Sequence, residues 1–296
     1  MTIDNLFIGC IYIVLNGVVL PFYIALTTMF AIRSPYRNSM CFRIMFWLGV
    51  MECVQMVAGI QAGFLTLVDT ANHNIFERIG GALNCMVLFA RPLFLLVLAV
   101  NRLVTIIEFR IPFSIGDRFF KVLLITVHIL ALWHFCYRLT DIGKADYSLK
   151  YDLFRPPRAI PGTLNMAFRN ISVGIDIVAV IATSVIDLCI FLFVVVARKA
   201  ASLRATDVPI LFQAVLTLGH VLVVKCGSAN IYSSLLSDRL TNIAFIIWLN
   251  MISISNPVFY LLFVRSIRNG FVDFVGHARK RHFGVGVVWS TAEDHS

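Results

Sequence analysis

Charged residues are scarce in this sequence, and apolar runs occupy most of its length. Asp, Glu, Lys and Arg make up 14% of its 296 residues, whereas hydrophobic residues make up 59%. Soluble domains carry roughly 25% charged residues, so this composition excludes a soluble globular fold. A helix that crosses a bilayer needs about 20 mostly apolar residues. Seven runs reach that length, at about 6–32, 44–68, 79–107, 119–140, 171–197, 208–232 and 241–264.

Motifs for catalysis and metal binding are also missing. The seven cysteines show neither CxxC nor Cys/His spacing, so we expect them to be small buried apolar residues and not metal ligands. The sequence contains no HExxH or Gly-x-Ser-x-Gly motif, and no basic stripe on a soluble face that could bind nucleic acid. We therefore predict a protein that is not an enzyme, has no cofactor and binds no nucleic acid.

The seven runs predict an all-α fold, a seven-transmembrane helix bundle over residues 1–275 with a short cytoplasmic tail over 276–296. No basic segment precedes the first run and no small-residue cleavage site follows it, so we expect a retained helix and not a signal peptide. The segment after the seventh run is basic and amphipathic, which predicts a short helix on the membrane surface.

Positive charges indicate the orientation, because Lys and Arg concentrate in short cytoplasmic loops. The N-terminus carries no basic residue, and the first and third loops on its side carry one each. The long loop at 138–169 carries six basic residues, but also three aspartates. We therefore predict that the N-terminus is outside and the C-terminus inside. The basic residues of the predicted inner side are Arg33, Arg37, Arg43, Arg110, Arg118, Lys121, Arg198, Lys199, Arg204, Arg265, Arg268, Arg279, Lys280 and Arg281.

Several ionisable residues lie inside the apolar runs, where a charge costs several kcal/mol unless it is paired. Arg91 precedes Arg102 by eleven residues, about 16 Å along a helix, and Glu52 lies at a similar depth. We predict that Glu52 and Arg91 form a pair, with a protonated, hydrogen-bonded Glu52 as the alternative. Asp187 also needs a partner. Lys225 is a candidate, but the sequence does not fix this pairing.

A break near the end of the seventh run is the strongest local signal. Pro257 removes a backbone donor and crowds the carbonyl four residues earlier, and in lipid that carbonyl needs a protein or water partner. Ser253, Ser255 and Asn256 are placed to supply one. We interpret Asn256-Pro257 as a hinge; the alternative is a bend without function, since proline is common in membrane helices.

Three smaller features complete the pattern. The first run carries Asn16-Gly17 and Pro21, and its Gly and Pro favour close helix contact or a bend. His128 and His134 in the fourth run are expected in hydrogen-bonded interior positions. Asn170 opens an Asn-Ile-Ser glycosylation sequon on the predicted outer side, and its closeness to the membrane leaves its modification open.

Two motifs carry a resemblance to a known family. Asn101-Arg102 ends the third run, and the seventh continues as NPVFYLLFVRSIRNGF from Asn256. With seven spans, these resemble the rhodopsin-like G-protein-coupled receptor architecture. The Asn-Arg pair and the very short third inside loop are similar to nematode serpentine chemoreceptors of the Srt or Srx type, which the sequence does not separate. The resemblance covers about residues 6–275.

This resemblance implies a chemosensory receptor of the plasma membrane, with the sensory cilium as a candidate site. It would bind a small, odorant-like external ligand and signal through a heterotrimeric G protein. Arg102, beside Asn101, corresponds to the arginine that meets the G protein, Tyr260 to the tyrosine that swings inward, and Asn256-Pro257 to the hinge.

The resemblance also places Glu52 at the second-span acid that binds sodium in many receptors. Arg91 falls at a position lining that site, so we expect its guanidinium where Na⁺ sits. The predicted intramembrane polar cluster is Glu52, Arg91, Ser253 and Asn256.

Two departures from the family pattern matter. Glu77 stands where an outer third-span cysteine is usual, and the loop at 141–169 has no cysteine, so the common extracellular disulfide is absent. Asn101 replaces the acidic neighbour of Arg102, which weakens the usual ionic restraint on that arginine.

A ligand would enter between spans three, five, six and seven. The predicted pocket is largely apolar with two amides and suits a small, uncharged or weakly polar molecule. Plain helix packing is the alternative for each of its residues. The pocket residues are Asn84, Leu88, Ile246 and Asn250.

A transporter or channel is the other function considered, with Glu52, Arg91, Asp187 and Lys225 along a path. Transporters often have two matching halves, which the sequence lacks.

Overall fold

The computed structural model describes residues 3–68, 75–108, 116–148, 153–155, 163–198 and 264–282, with isolated positions at 219, 258 and 261–262. Its elements, in chain order, are α1 (Ile3–Ile32), α2 (Ser34–Arg37), α3 (Met40–Val68), α4 (Ile75–Glu108), α5 (Asp117–Leu139), β1 (Asp146–Ser148), β2 (Leu153–Arg155), α6 (Leu164–Arg198) and α7 (Arg265–His282).

Helices α1, α3, α4, α5 and α6 are long and apolar enough to cross a membrane. They lie at the first five predicted runs, and the predicted all-α bundle is confirmed, with one short antiparallel hairpin, β1–β2, added to it. The sixth and seventh predicted spans fall largely outside the described residues. Helix α4 begins four residues before its run and α6 seven before, because polar residues such as Arg78 and Arg169 continue the helical backbone beyond the apolar segment.

Helix α4 lies at the centre of the described bundle. It packs on α3, α5 and α6, and α1 packs on the far side of α3. Beyond its first turns, the apolar side chains of α4 are buried or half-buried, whereas α1, α5 and α6 each expose an apolar face. Ile129 of α5 is 61% exposed and Val178 of α6 is 66% exposed. Because lipid tails cover such faces in a membrane, they are the expected outer surface of a spanning bundle.

Glycines allow α1 and α3 to approach closely. A Cβ on Gly9 would lie 2.8 Å from the carbonyl oxygen of Gly63, and a Cβ on Gly63 would lie 2.9 Å from that of Gly9. A Cβ on Gly59 would meet the Asn16 amide at 2.7 Å, whereas one on Gly17 would meet nothing within 4 Å. Close contact in this part of α1 is therefore made by Asn16, whereas Gly17 does not contribute to it.

The two ends of the bundle differ in charge and structure. One end, at which α2 and α7 lie, is called the basic end. The other, at which β1–β2 lies, is called the hairpin end. Helix α7 is the amphipathic helix predicted after the seventh span, and it runs to His282, past the expected domain boundary at 275. The basic end carries Arg33, Arg37, Arg43, Arg102, Arg118 and Lys121.

Candidate functional site

A buried ion pair joins the middles of α3 and α4. Arg91 donates a hydrogen bond from Nη2 to the Glu52 carboxylate, and the same nitrogen donates to the side-chain oxygen of Gln55. Glu52 is 0% exposed and Arg91 is 4% exposed. The predicted contact between Glu52 and Arg91 is therefore present. Because both charges are withdrawn from solvent, each depends on the other for compensation.

Gln55 belongs to this cluster, and the sequence prediction missed it. It lies three residues after Glu52, so both side chains project from one face of α3. That spacing was a usable signal. Glu52 Oε1 is buried and accepts no hydrogen bond from the described residues. Ser253 and Asn256, predicted to join the cluster, lie outside the described residues, so their membership stays a prediction.

Arg102 lies near the basic end of α4 and is half-buried between two neighbouring helices. Asp187 of α6 is 3% exposed and interacts electrostatically with Arg102. The Cys41 thiol of α3 lies within hydrogen-bonding reach of the same arginine. The sequence offered Lys225 as the candidate partner of Asp187, and Lys225 lies outside the described residues. Asp187 Oδ1 accepts no hydrogen bond from the described residues, so this acid of the fifth span acts on Arg102 through its charge and not through a direct contact. Asn101 provides no adjacent acid.

The predicted ligand pocket is described in part. Asn84 and Leu88 lie one turn apart on α4, and both are half-buried. The other two pocket residues, Ile246 and Asn250, lie outside the described residues. The hinge residue Pro257 and Tyr260 also lie outside them. The pocket and the hinge therefore stay predictions.

The histidines of α5 are packed among aromatic side chains. His128 Nδ1 lies 2.6 Å from the carbonyl oxygen of Leu124, and its ring meets Trp47 edge-on at 4.5 Å. The His134 ring stacks on Phe89 at 4.7 Å. Among the described residues, no group of three His, Cys, Asp or Glu is placed to hold a metal ion. The buried position of His134 agrees with the interior role expected for it, whereas His128 is half-buried and lines a cleft at the bundle surface.

Polar contacts attach the loop after α5 to α4 at the hairpin end. Arg78 of α4 donates to Asp141 at 2.8 Å, and Arg138 donates to the carbonyl of Gly143 at 3.2 Å. A Cβ on Gly81 would lie 2.1 Å from the carbonyl oxygen of Ala145, so the loop backbone rests directly on α4. Where many receptors use a disulfide, noncovalent contacts hold this loop. The cysteines of the described residues are free thiols. The expectation that they are buried was wrong for Cys10, Cys136 and Cys189, which are exposed, whereas Cys41, Cys53 and Cys85 are half-buried.

The start of α6 contains the predicted glycosylation position. Asn170 lies in the second turn of α6 and is exposed. The helix begins earlier than the apolar run indicated, so the sequon is part of helical structure and not of a loop. Its modification stays a prediction.

Helix α7 is seated against α1 and α2. The rings of Phe22 and Phe271 lie 5.1 Å apart, and a Cβ on Gly270 would lie 2.1 Å from the Tyr36 hydroxyl. Arg33 and Asp273 approach to 4.0 Å. Burial raises the pKa of the Tyr36 phenol, with Asp273 adding to the rise and Arg33 opposing it. The phenol thus stays protonated at neutral pH and packs against the helix.

Comparison with known protein families matches residues 2–282 to the family described as serpentine type 7TM GPCR chemoreceptor Srt. Comparison with individual characterised proteins gives no significant match. The matched range includes all seven predicted spans, and it selects Srt from the two types that the sequence left open. It also indicates a receptor and not an enzyme, which confirms that prediction. The chain therefore belongs to the Srt family of serpentine seven-transmembrane chemoreceptors and is a multi-pass membrane receptor.

Proposed function

We propose that this receptor binds a small external chemical and signals through a heterotrimeric G protein. The position of Arg102 is the observation that carries the proposal. Its side chain lies at the basic end of the central helix, where the charge of Asp187 on α6 acts on it and the Cys41 thiol of α3 is near. The surroundings of this arginine change when the neighbouring helices move apart. Such a movement is a two-state change that a ligand can bias.

The proposed orientation places the basic end in the cytoplasm. Lys and Arg are enriched on the cytoplasmic side of membrane proteins, and the described basic end carries Arg37, Arg43 and Lys121. The N-terminus would then be outside and α7 inside, against the inner leaflet. The plasma membrane, and within it the sensory cilium, is the proposed location.

The Glu52–Arg91 pair has a proposed part in the switch. It joins α3 to α4 near mid-membrane and fixes their register, the role for which buried polar pairs are best attested. The seventh span would meet it through Ser253 and Asn256, with the hinge at Asn256-Pro257 and Tyr260 below. The free Glu52 Oε1 is an acceptor to which either side chain could donate.

The transporter alternative is less well supported. A translocation path needs ionisable groups that face a passage, whereas Glu52 and Arg91 contact each other. Family membership also favours a receptor. Odorant-like small molecules that pass between spans three, five, six and seven remain the proposed ligands, with Asn84 on the described wall.

A calcium screen with an odorant panel, in cells that express the full chain, is the first test. A ligand found there is then added to receptor reconstituted with a G protein, and nucleotide exchange is measured. We expect ligand-dependent exchange that Arg102→Gln abolishes without loss of ligand binding. Arg118→Gln, which removes an exposed charge at the same end, is the matched control. Ligand-independent solute flux without exchange would contradict the proposal.

A further inference from the structure

A cleft opens on the outer surface of the bundle between α1, α3 and α5. Helices α3 and α5 both pack on α4 but hardly touch each other, and the Trp47 and His128 rings bridge them at 4.5 Å. The cavity that results has a volume of about 710 Å³. Its wall is almost entirely apolar and includes Phe30, Phe46, Trp47, Ile125, Ile129 and Leu132.

Three basic side chains surround the mouth of this cleft at the basic end. They come from three different elements: Arg37 of α2, Arg43 of α3 and Lys121 of α5. Arg43 Nε donates to the carbonyl of Arg37 at 2.8 Å, which holds the two arginines together. The ion pairs formed within the described part of the chain involve other arginines, so none of these three forms an ion pair with a described acid.

The length of the cleft corresponds to one leaflet. Its wall on α5 extends from Lys121 to Leu132, eleven residues, or about 17 Å of helix. Half the hydrocarbon core of a bilayer is about 15 Å thick. An apolar cleft that is as deep as one leaflet and has cations at one end matches a phospholipid in shape, and those cations complement the charge of its phosphate.

We infer that this cleft binds an anionic phospholipid from the leaflet at the basic end. The phosphate and the acidic headgroup lie against Arg37, Arg43 and Lys121, and an acyl chain lies along the apolar wall. Basic pockets between membrane helices bind such headgroups, and each nearby cation contributes about fivefold in affinity. The site depends on neither the external ligand nor the G protein.

Other occupants fit the cleft less well. A zwitterionic lipid or a sterol fills the apolar wall but leaves the three cations uncompensated. A second copy of the receptor, related by a two-fold axis, would bring an identical cationic mouth against the first, and like charges would repel. Charge complementarity therefore selects the anionic lipid.

Fluorescence of Trp47 tests the inference, because its ring lines the cleft and is 37% exposed. The full-length receptor with Trp133→Phe, Trp248→Phe and Trp289→Phe keeps Trp47 as its one tryptophan. It is reconstituted in phosphatidylcholine vesicles that contain either brominated phosphatidylserine or brominated phosphatidylcholine with the same chains. We expect much stronger quenching by the brominated phosphatidylserine at equal mole fraction.

Two triple variants of that single-tryptophan receptor distinguish lipid binding at the cleft from attraction of anionic lipid to the whole basic end. The first variant combines Arg37→Gln, Arg43→Gln and Lys121→Gln. It should weaken the preference for phosphatidylserine by about fivefold for each charge removed. The second variant removes three exposed charges from the same end that do not line the cleft, and it should keep the preference. Circular dichroism and melting temperature check that both variants fold. The control substitutions are Arg118→Gln, Arg265→Gln and Arg268→Gln.

Three results would overturn the inference. Equal quenching by the two brominated lipids would show that the cleft holds bulk lipid. Equal loss of preference in both triple variants would show attraction to the whole basic end and not to a site. Protection of Trp47 by added sterol in phosphatidylcholine vesicles, undiminished by phosphatidylserine, would assign the cleft to a sterol.

Discussion

Arg91 of α4 and Glu52 of α3 meet at the centre of the bundle, and Gln55 shares the same guanidinium nitrogen. The two charges lie on different helices with their side chains almost wholly buried. Such a pair specifies how α3 and α4 are aligned, because a shift of either helix by one turn would bury both charges unpaired. The consequences differ according to whether one partner or both are removed.

We expect Arg91→Ala to destabilise the receptor by about 3–5 kcal/mol, since it leaves the Glu52 carboxylate buried without a cation. The double variant Glu52→Leu, Arg91→Met removes both charges at similar volume and should recover most of that loss. Thermal unfolding of the purified receptor measures both, and a double-mutant cycle isolates the pair. Arg78→Ala, which breaks an exposed pair on the same helix, should cost no more than about 1 kcal/mol. A double variant as unstable as Arg91→Ala would refute this interpretation.

The same contact predicts that sodium does not stabilise this receptor. The guanidinium of Arg91 already lies against Glu52, so a cation would have to displace it. Melting temperatures in sodium chloride and choline chloride at equal ionic strength should agree. In Arg91→Ala the vacated carboxylate should bind Na⁺ and raise the melting temperature with sodium concentration. The rise of melting temperature with sodium should vanish in the double variant Glu52→Gln, Arg91→Ala, which has no carboxylate at this position. Sodium-dependent stabilisation of the unmodified receptor would rule the idea out.

Asp187 is expected to restrain Arg102 in the unstimulated receptor. Asp187→Asn removes the charge and keeps the shape, so basal G-protein nucleotide exchange should rise by about fivefold, the effect of about 1 kcal/mol on a two-state equilibrium. Asp176→Asn, three turns away on α6, is the matched control and should leave basal exchange near its original level. Unchanged basal exchange in Asp187→Asn, with normal ligand-stimulated exchange, would show that Asp187 does not hold the switch.

The sequence was sufficient for features that depend on composition and depth. Apolar runs located the five described spans, and counting residues from Arg102 and Arg43 placed Arg91 and Glu52 at one level. The influence of Asp187 on Arg102 was not predictable in this way. The sequence offered Lys225 for Asp187, and which cation lies near this acid depends on how far α6 is rotated about its axis, which packing against α4 decides.

Close approaches between backbones were also beyond the sequence. The sequence does not distinguish one glycine of these helices from another. In the structure, Gly9 and Gly63 lie where α1 and α3 cross, whereas Gly17 faces outward. Helix ends were missed for a related reason. The hydropathy of a run reports the membrane-embedded segment, whereas the helix continues into polar residues such as those near Arg78 as long as its backbone stays hydrogen-bonded.

Seating of α7 on α2 should depend on Gly270. An added Cβ would lie 2.1 Å from the Tyr36 hydroxyl, so we expect Gly270→Ala to displace α7 and cost about 1–3 kcal/mol. Gly276→Ala, on the same helix and without neighbours within 4 Å, should be neutral or stabilising by up to about 1 kcal/mol. Melting temperature and protease sensitivity of the C-terminal segment check both. Equal behaviour of the two variants would show that Tyr36 does not seat α7.

Gly81 should determine how firmly the loop after α5 is held on α4. A Cβ at this position would lie 2.1 Å from the Ala145 carbonyl oxygen, and backbone cannot move aside as a flexible side chain can. We expect Gly81→Ala to lift the loop at a cost of about 1–3 kcal/mol, seen as faster hydrogen exchange of the amides at 143–148. Gly174→Ala on α6, which has open space around it, should leave that exchange unchanged. Since no disulfide is available to hold the loop after α5, ligand affinity should fall in Gly81→Ala if the loop covers the pocket. Unaltered exchange at 143–148 would show that the Gly81–Ala145 contact does not anchor the loop.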